Sequence, residues 1–111
     1  MTLDDVRALL RCEVLAGGDH LGREPTGCFA ADMMSDVLHA SSHGMLLLTG
    51  LTGVQSVHTA DVADLAGIVF VLGKRPAPDV LAVADQRGIP VLSTAMSMYA
   101  ACAALHDGGM A

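Results

Sequence analysis

Residues 45–48 and 67–72 are unbroken apolar runs bounded by Gly or Thr, the pattern of strands covered on both faces. Such strands are expected at the centre of a sheet. Between them Val54, Val57, Val62 and Leu65 recur at helical spacing after Thr52, which predicts a strand-helix-strand crossover of the length that parallel pairing requires. The unit then repeats. Pro78 at a first helical position, Val80, Leu81 and Ala84 on one face and Gly88 past the last turn predict another helix. Ile89-Pro90-Val91-Leu92 predicts a short strand entered through a proline, and a last helix is expected from near Ser97 with Met98, Cys102 and Leu105 inward.

The amino-terminal part is patterned in shorter pieces. Thr2 followed by Asp5 has the form of a capping box, and Val6, Leu9 and Leu10 then keep helical spacing. Residues 13–16 before Gly17-Gly18 predict a strand ending in a turn that needs positive φ, and residues 26–30 predict a second short strand after a loop. Asp32 is the expected N-cap of a helix through Ala40, with Met34, Val37 and Leu38 as its apolar face and Gly44 as its terminator. The sum is an α/β fold: a three-layer α/β/α sandwich with a largely parallel central sheet. One domain is expected over residues 1–111, with a core from about 11 to 106 and a frayed tail over 107–111.

Composition narrows the partners. At 52% hydrophobic and 16% charged residues, the chain has little polar surface with which to cover a lone domain, so part of the apolar excess is expected in a homodimer interface. A net charge of -6 with a single Lys argues against nucleic acid, which demands clustered basic residues. Asp4 and Asp5 interrupt the region where a signal peptide would be basic then apolar, and no run approaches a membrane span, so a cytoplasmic protein is expected. Cys12, Cys28 and Cys102 are odd in number and far apart, and read as reduced core thiols.

The run Leu-Ala-Gly-Gly-Asp-His-Leu-Gly-Arg-Glu-Pro-Thr-Gly-Cys-Phe-Ala-Ala-Asp-Met-Met-Ser-Asp over residues 15–36 joins a Gly-Gly turn, an Arg-x-x-Thr-Gly corner and an Asp-flanked helix start. It resembles the DRTGG domain, which is similar to the N-terminal domain of the bacterial HPr kinase/phosphorylase. The stretches Asp64-Leu65-Ala66-Gly67-Ile68 and Gly88-Ile89-Pro90-Val91-Leu92-Ser93-Thr94 extend the likeness, which spans about residues 15–105. Gly22 stands where the name motif has Asp and Cys28 where it has the second Gly, so no role for that Asp carries over. The resemblance implies an HPr kinase N-terminal-like fold and a bacterial regulatory or interaction module. Such modules occur alone or beside CBS domains, kinases and acyltransferases, commonly self-associate, and in stand-alone form occur in operons with iron hydrogenase and related redox systems.

Candidate chemistry falls into three groups. Arg23 with Thr26 and Gly27 could hold an anion through a guanidinium fork, a hydroxyl and backbone N–H groups, or Arg23 could pair with Glu24 while Thr26 and Gly27 only shape the corner. Thr49, Lys74, Arg75, Ser93, Thr94 and Ser97 follow the three apolar strands, so a parallel sheet would gather them at one edge as a site for a small anionic or nucleotide ligand. Plain N-capping explains Thr94 or Ser97 equally well. His39 and His43 with Asp36 have a spacing that suits a metal, but solvated polarity at a helix end accounts for them too, and no metal or cofactor is expected. His58 is expected half-buried beside the apolar stripe. No phosphate loop of the Gly-x-x-x-x-Gly-Lys-Ser/Thr type and no Ser-His-Asp set is present, so no catalytic residues are expected. The functional expectation is a non-catalytic module that binds a small anion or a partner enzyme. The alternative is a small phosphotransfer or hydrolytic enzyme built on the Ser93/Thr94 edge.

Overall fold

A computed structural model describes residues 1–110, and Ala111 lies outside the described residues. Five strands, β1 (Glu13–Ala16), β2 (Cys28–Ala30), β3 (Leu46–Thr49), β4 (Gly67–Phe70) and β5 (Val91–Ser93), form one sheet in the order β1-β5-β4-β3-β2. β2 to β5 run parallel, and β1 pairs antiparallel with β5, Glu13 opposite Ser93. Helices α2 (Met34–Ala40), α3 (Val54–Val62) and α4 (Pro78–Gln86) are the three crossovers, whereas α1 (Leu3–Leu9) precedes β1 and α5 (Met98–Asp107) follows β5.

The period-2 alternation of strand side chains divides the core into two layers. Leu47, Ile68, Phe70 and Val91 point to the face covered by α2, α3 and α4, where Val37, Val57, Ala60, Val80 and Ala84 meet them. Leu46, Leu48, Val69 and Leu92 point to the other face and pack on Leu3, Val6 and Leu10 of α1 and on Ala101 and Leu105 of α5. This is the expected three-layer sandwich. The packed unit takes in α1 and reaches Met110, which is only 7% exposed and belongs to the second layer, so the tail expected to fray over 107–111 is anchored at Met110, Ala111 lying outside the described residues.

The helix ends follow their local chemistry. Thr2 caps α1 by accepting from Asp5 N–H, and the Asp5 carboxylate accepts in return from Thr2 N–H at 2.8 Å; this bonding holds the Asp5 carboxyl below its usual value. Pro78 opens α4 and Ser97 caps α5. Two expectations fail. α2 starts one turn position later, with Met33 at the cap and no side-chain bond, because Asp32 is turned toward the end of β3. It runs through Ala40 as expected, but Ser41, whose hydroxyl donates back to the Val37 carbonyl, closes it in place of Gly44.

α3 and the turn after it bury only part of the apolar stripe, Val57 and Leu65, while Val54 is exposed. Val62 is 77% exposed and His58 is exposed, whereas Ser56, Val57, Thr59 and Ala60 are buried. α3 lies between α2 and α4, and small residues let the three approach; Ser56 Oγ satisfies itself on the Leu51 carbonyl. β4 ends at Phe70, two residues short of the apolar run, because Leu72 takes φ +60 and leaves the sheet 60% exposed.

Gly17 is the turn position with the least freedom. Its φ is +70, and a Cβ there would lie 2.6 Å from Pro90 Cα, so the β1 end and the entry to β5 touch through a missing side chain. Gly17→Ala should therefore lower stability by more than the ~1–2 kcal/mol of a left-handed L-residue alone. The check is a fall in the urea midpoint with an unchanged slope, against Gly18→Ala, whose Cβ would meet nothing closer than Val14 Cγ1 at 3.8 Å, as a near-neutral control.

Candidate functional site

The carboxyl ends of β2 to β5 gather Thr49, Lys74, Arg75, Ser93, Thr94 and Ser97 at one edge, as the parallel arrangement predicts. The connections leave β4 and β5 toward opposite faces, which is the arrangement that opens a ligand crevice in α/β sheets. Here the crevice is closed. Leu72 N–H donates to the Met96 carbonyl and Gly73 N–H to the Thr94 carbonyl, both at 2.8 Å, and Ser93 Oγ donates to the Lys74 carbonyl at 2.9 Å. Thr94, 1% exposed, donates its hydroxyl to the Leu10 carbonyl at 2.7 Å and accepts from Met96 N–H at 3.2 Å.

The rest of this edge is also engaged internally. Asp32 Oδ1 accepts from buried Thr49 Oγ1 at 3.1 Å and from Gly50 N–H at 2.8 Å, tying β2 to β3. Arg75 pairs with Glu13, and Lys74 Nζ donates to the Gly50 carbonyl at 3.3 Å, so Arg75 is not the free cation expected of it. Among the described residues no buried side-chain nitrogen or oxygen lacks a partner.

Arg23, Thr26 and Gly27 lie at the opposite end of the sheet. Because β1 runs antiparallel, its carboxyl end delivers the following loop to the amino ends of the parallel strands. Thr26 Oγ1 donates to the His43 carbonyl and Gly27 accepts from Leu46 N–H, so this pair shapes the corner at the start of β2. Arg23 does not pair with Glu24, which faces the amino terminus at 3.8 Å; its Nη1 donates only a 3.4 Å bond to the Ala66 carbonyl.

A cleft of about 370 Å³ opens here, walled by Arg23, Glu24, His43, Asp61, Asp64 and Arg87 over a floor of Leu65, Ala66 and Ile89. It falls in the size range of small-ligand sites. Of this wall the sequence offered only Arg23 as a candidate anion ligand and His43 as a candidate metal ligand. Asp61 pairs with Arg87 Nη1 at 2.5 Å and Asp64 with His43 Nδ1 at 2.7 Å, so His43 faces a carboxylate across the cleft instead of joining His39. Among the described residues no three His, Cys, Asp or Glu groups cluster for a metal. The carboxyl ends of α3 and α4 also face the cleft, and each opposes an anion by ~0.3–1 kcal/mol. A charge-assisted bond to a guanidinium contributes ~1.5–3 kcal/mol, so the Arg23 fork outweighs one such end.

The thiols are half-buried, less enclosed than core cysteines, and burial pushes all three up, Cys12 to about 11. No helix among the described residues is long and apolar enough to cross a membrane.

No family model matches the chain, and no curated protein matches it. The chain is similar in structure to the CBS and DRTGG domains of the regulatory region of Clostridium perfringens pyrophosphatase, solved with the activator diadenosine tetraphosphate. The TM-score is 0.75 at 16% identity, and the match covers 94% of this chain and 45% of that one. The chain thus spans less than half of that structure, and the likeness shows a DRTGG-like α/β fold.

Two outcomes follow from this geometry. Thr94→Val strands the Leu10 carbonyl and the Met96 N–H and should cost ~1–3 kcal/mol by chemical denaturation. Stability should also fall as pH rises between 9.0, the ordinary thiol value, and about 11. In that window the unfolded Cys12 has lost its proton while the folded one keeps it. A Cys12→Ala variant should show a shallower slope in a pH series of melting temperatures, the remainder coming from the raised Cys28 and Cys102 thiols.

Proposed function

We propose that this chain is a non-catalytic DRTGG-type regulatory or interaction module that self-associates and either senses a small anionic or nucleotide ligand or docks on a metabolic or redox enzyme. The observation that carries this reading is the engagement of the strand-carboxyl edge in internal hydrogen bonds, at the place where α/β enzymes gather substrates and catalytic groups. A nucleophile needs a base to take its proton, whereas the Ser93 and Thr94 hydroxyls are aimed at backbone carbonyls. The enzymatic alternative lacks that base. The shared fold with a regulatory region supports the same reading, and the activator bound by that region supports a nucleotide-like ligand class.

Self-association draws support from β2, whose outer edge is unpaired and carries no charge before Asp32. Met33 and Leu38 on the neighbouring α2 are 62% and 52% exposed. Three free thiols, odd in number and far apart in sequence, fit a reducing cytoplasm.

Light scattering at micromolar concentration should return about twice the 11.4 kDa chain mass, and a persistent monomer contradicts self-association. Incubation with ATP or p-nitrophenyl phosphate should release nothing above buffer. Turnover abolished by Ser93→Ala would reinstate the enzyme.

A further inference from the structure

We infer that the cleft at the amino ends of the parallel strands binds a small organic anion carrying a single carboxylate or phosphate group, held by the Arg23 fork. The inference rests on the ligand-sensing part of the proposed function and gives it a place and a charge. Three carboxylates line the cleft, and each already has a partner: Asp61 faces the Arg87 guanidinium, Asp64 the His43 imidazole, and Glu24 the amino terminus. Arg23 is different. Among the described residues it has no carboxylate partner, and its side chain's one hydrogen bond is the long one to the Ala66 carbonyl. Most of its N–H donors are uncommitted.

The space beside it is kept open by Gly88. A Cβ on Gly88 would lie 4.0 Å from Arg23 Nη2 and 3.7 Å from His20 Nε2, so both nitrogen-bearing side chains converge over a residue that presents only backbone. Gly88 has φ +67 after α4, a conformation that also disfavours a side chain there. The floor of Leu65, Ala66 and Ile89 is apolar, which suits a compact body attached to the anionic group.

The surroundings limit the ligand's charge. Asp61, Asp64 and Glu24 stand on the wall, the carboxyl ends of α3 and α4 point in, and the whole chain carries -6. One anionic group in the Arg23 fork is balanced locally. A polyphosphate would place further negative charge against those carboxylates, so the cleft selects monoanions and monophosphates over longer phosphate chains.

The test is NMR of labelled full-length chain titrated with isovalerate, AMP and ATP, following the Arg23 side-chain Nε–H and the Ala66 and Gly88 amides. Isovalerate or AMP should move these signals to saturation, and ATP should bind less tightly than AMP. Arg23→Gln should weaken binding at least tenfold with the remaining spectrum unchanged, and Arg23→Lys should fall between. Saturation by isovalerate alone assigns a carboxylate ligand, and saturation by AMP alone assigns a monophosphate. The inference is overturned if none of the probes moves the Arg23 signal by ~10 mM, if Arg23→Gln binds as well as the parent, or if ATP binds more tightly than AMP. A protein that then still self-associates and turns over nothing leaves the module reading standing without this site.

Discussion

Thr94 is the residue on which the arrangement of this domain turns. All its polar groups are used: its N–H donates to Phe70 and its carbonyl accepts from Gly73, while its hydroxyl bonds the Leu10 carbonyl and the Met96 N–H. One buried residue, through its backbone and its side chain together, thus joins the end of α1, the end of β4, the end of β5 and the approach to α5. Leaving any of these backbone groups unpaired in the interior would cost more than an ordinary hydrogen bond contributes, because the desolvation is not returned. The joint is favourable only as a whole.

This constraint decides which end of the sheet is free to act. In parallel α/β sheets the carboxyl edge is the usual ligand mouth. Here its hydroxyls, its Asp32 carboxylate and its Arg75 guanidinium hold the chain to itself. The open space lies at the other end, where helix carboxyl ends and paired carboxylates surround one guanidinium without an acidic partner.

Much of the fold was legible because its signals are local. The capping box of Thr2 and Asp5, the Pro78 start and Gly88 stop of α4 and the Ser97 cap each occupy a few neighbouring residues. The apolar runs marked β3 and β4 by their burial on both faces. What escaped was set by distant partners. Nothing near Thr94 in the chain points to Leu10, 84 residues away, nor near Arg75 to Glu13, 62 residues away. Only Val57 and Leu65 of the stripe along α3 are buried, and Val54 and Val62 face solvent, because its neighbours demand small residues and not large ones. The antiparallel direction of β1 was equally silent, and it alone carries Arg23 away from the other candidate residues.

Native-state hydrogen exchange at the Leu72, Gly73, Thr94 and Met96 amides tests most directly whether the carboxyl edge is a structural joint. The account predicts that these four exchange only through global unfolding, with the same free energy as core amides of β3 and β4 and the same denaturant dependence. Exchange of these amides through a local opening, well below the global free energy and independent of denaturant, would contradict it and return that edge to contention as a ligand mouth.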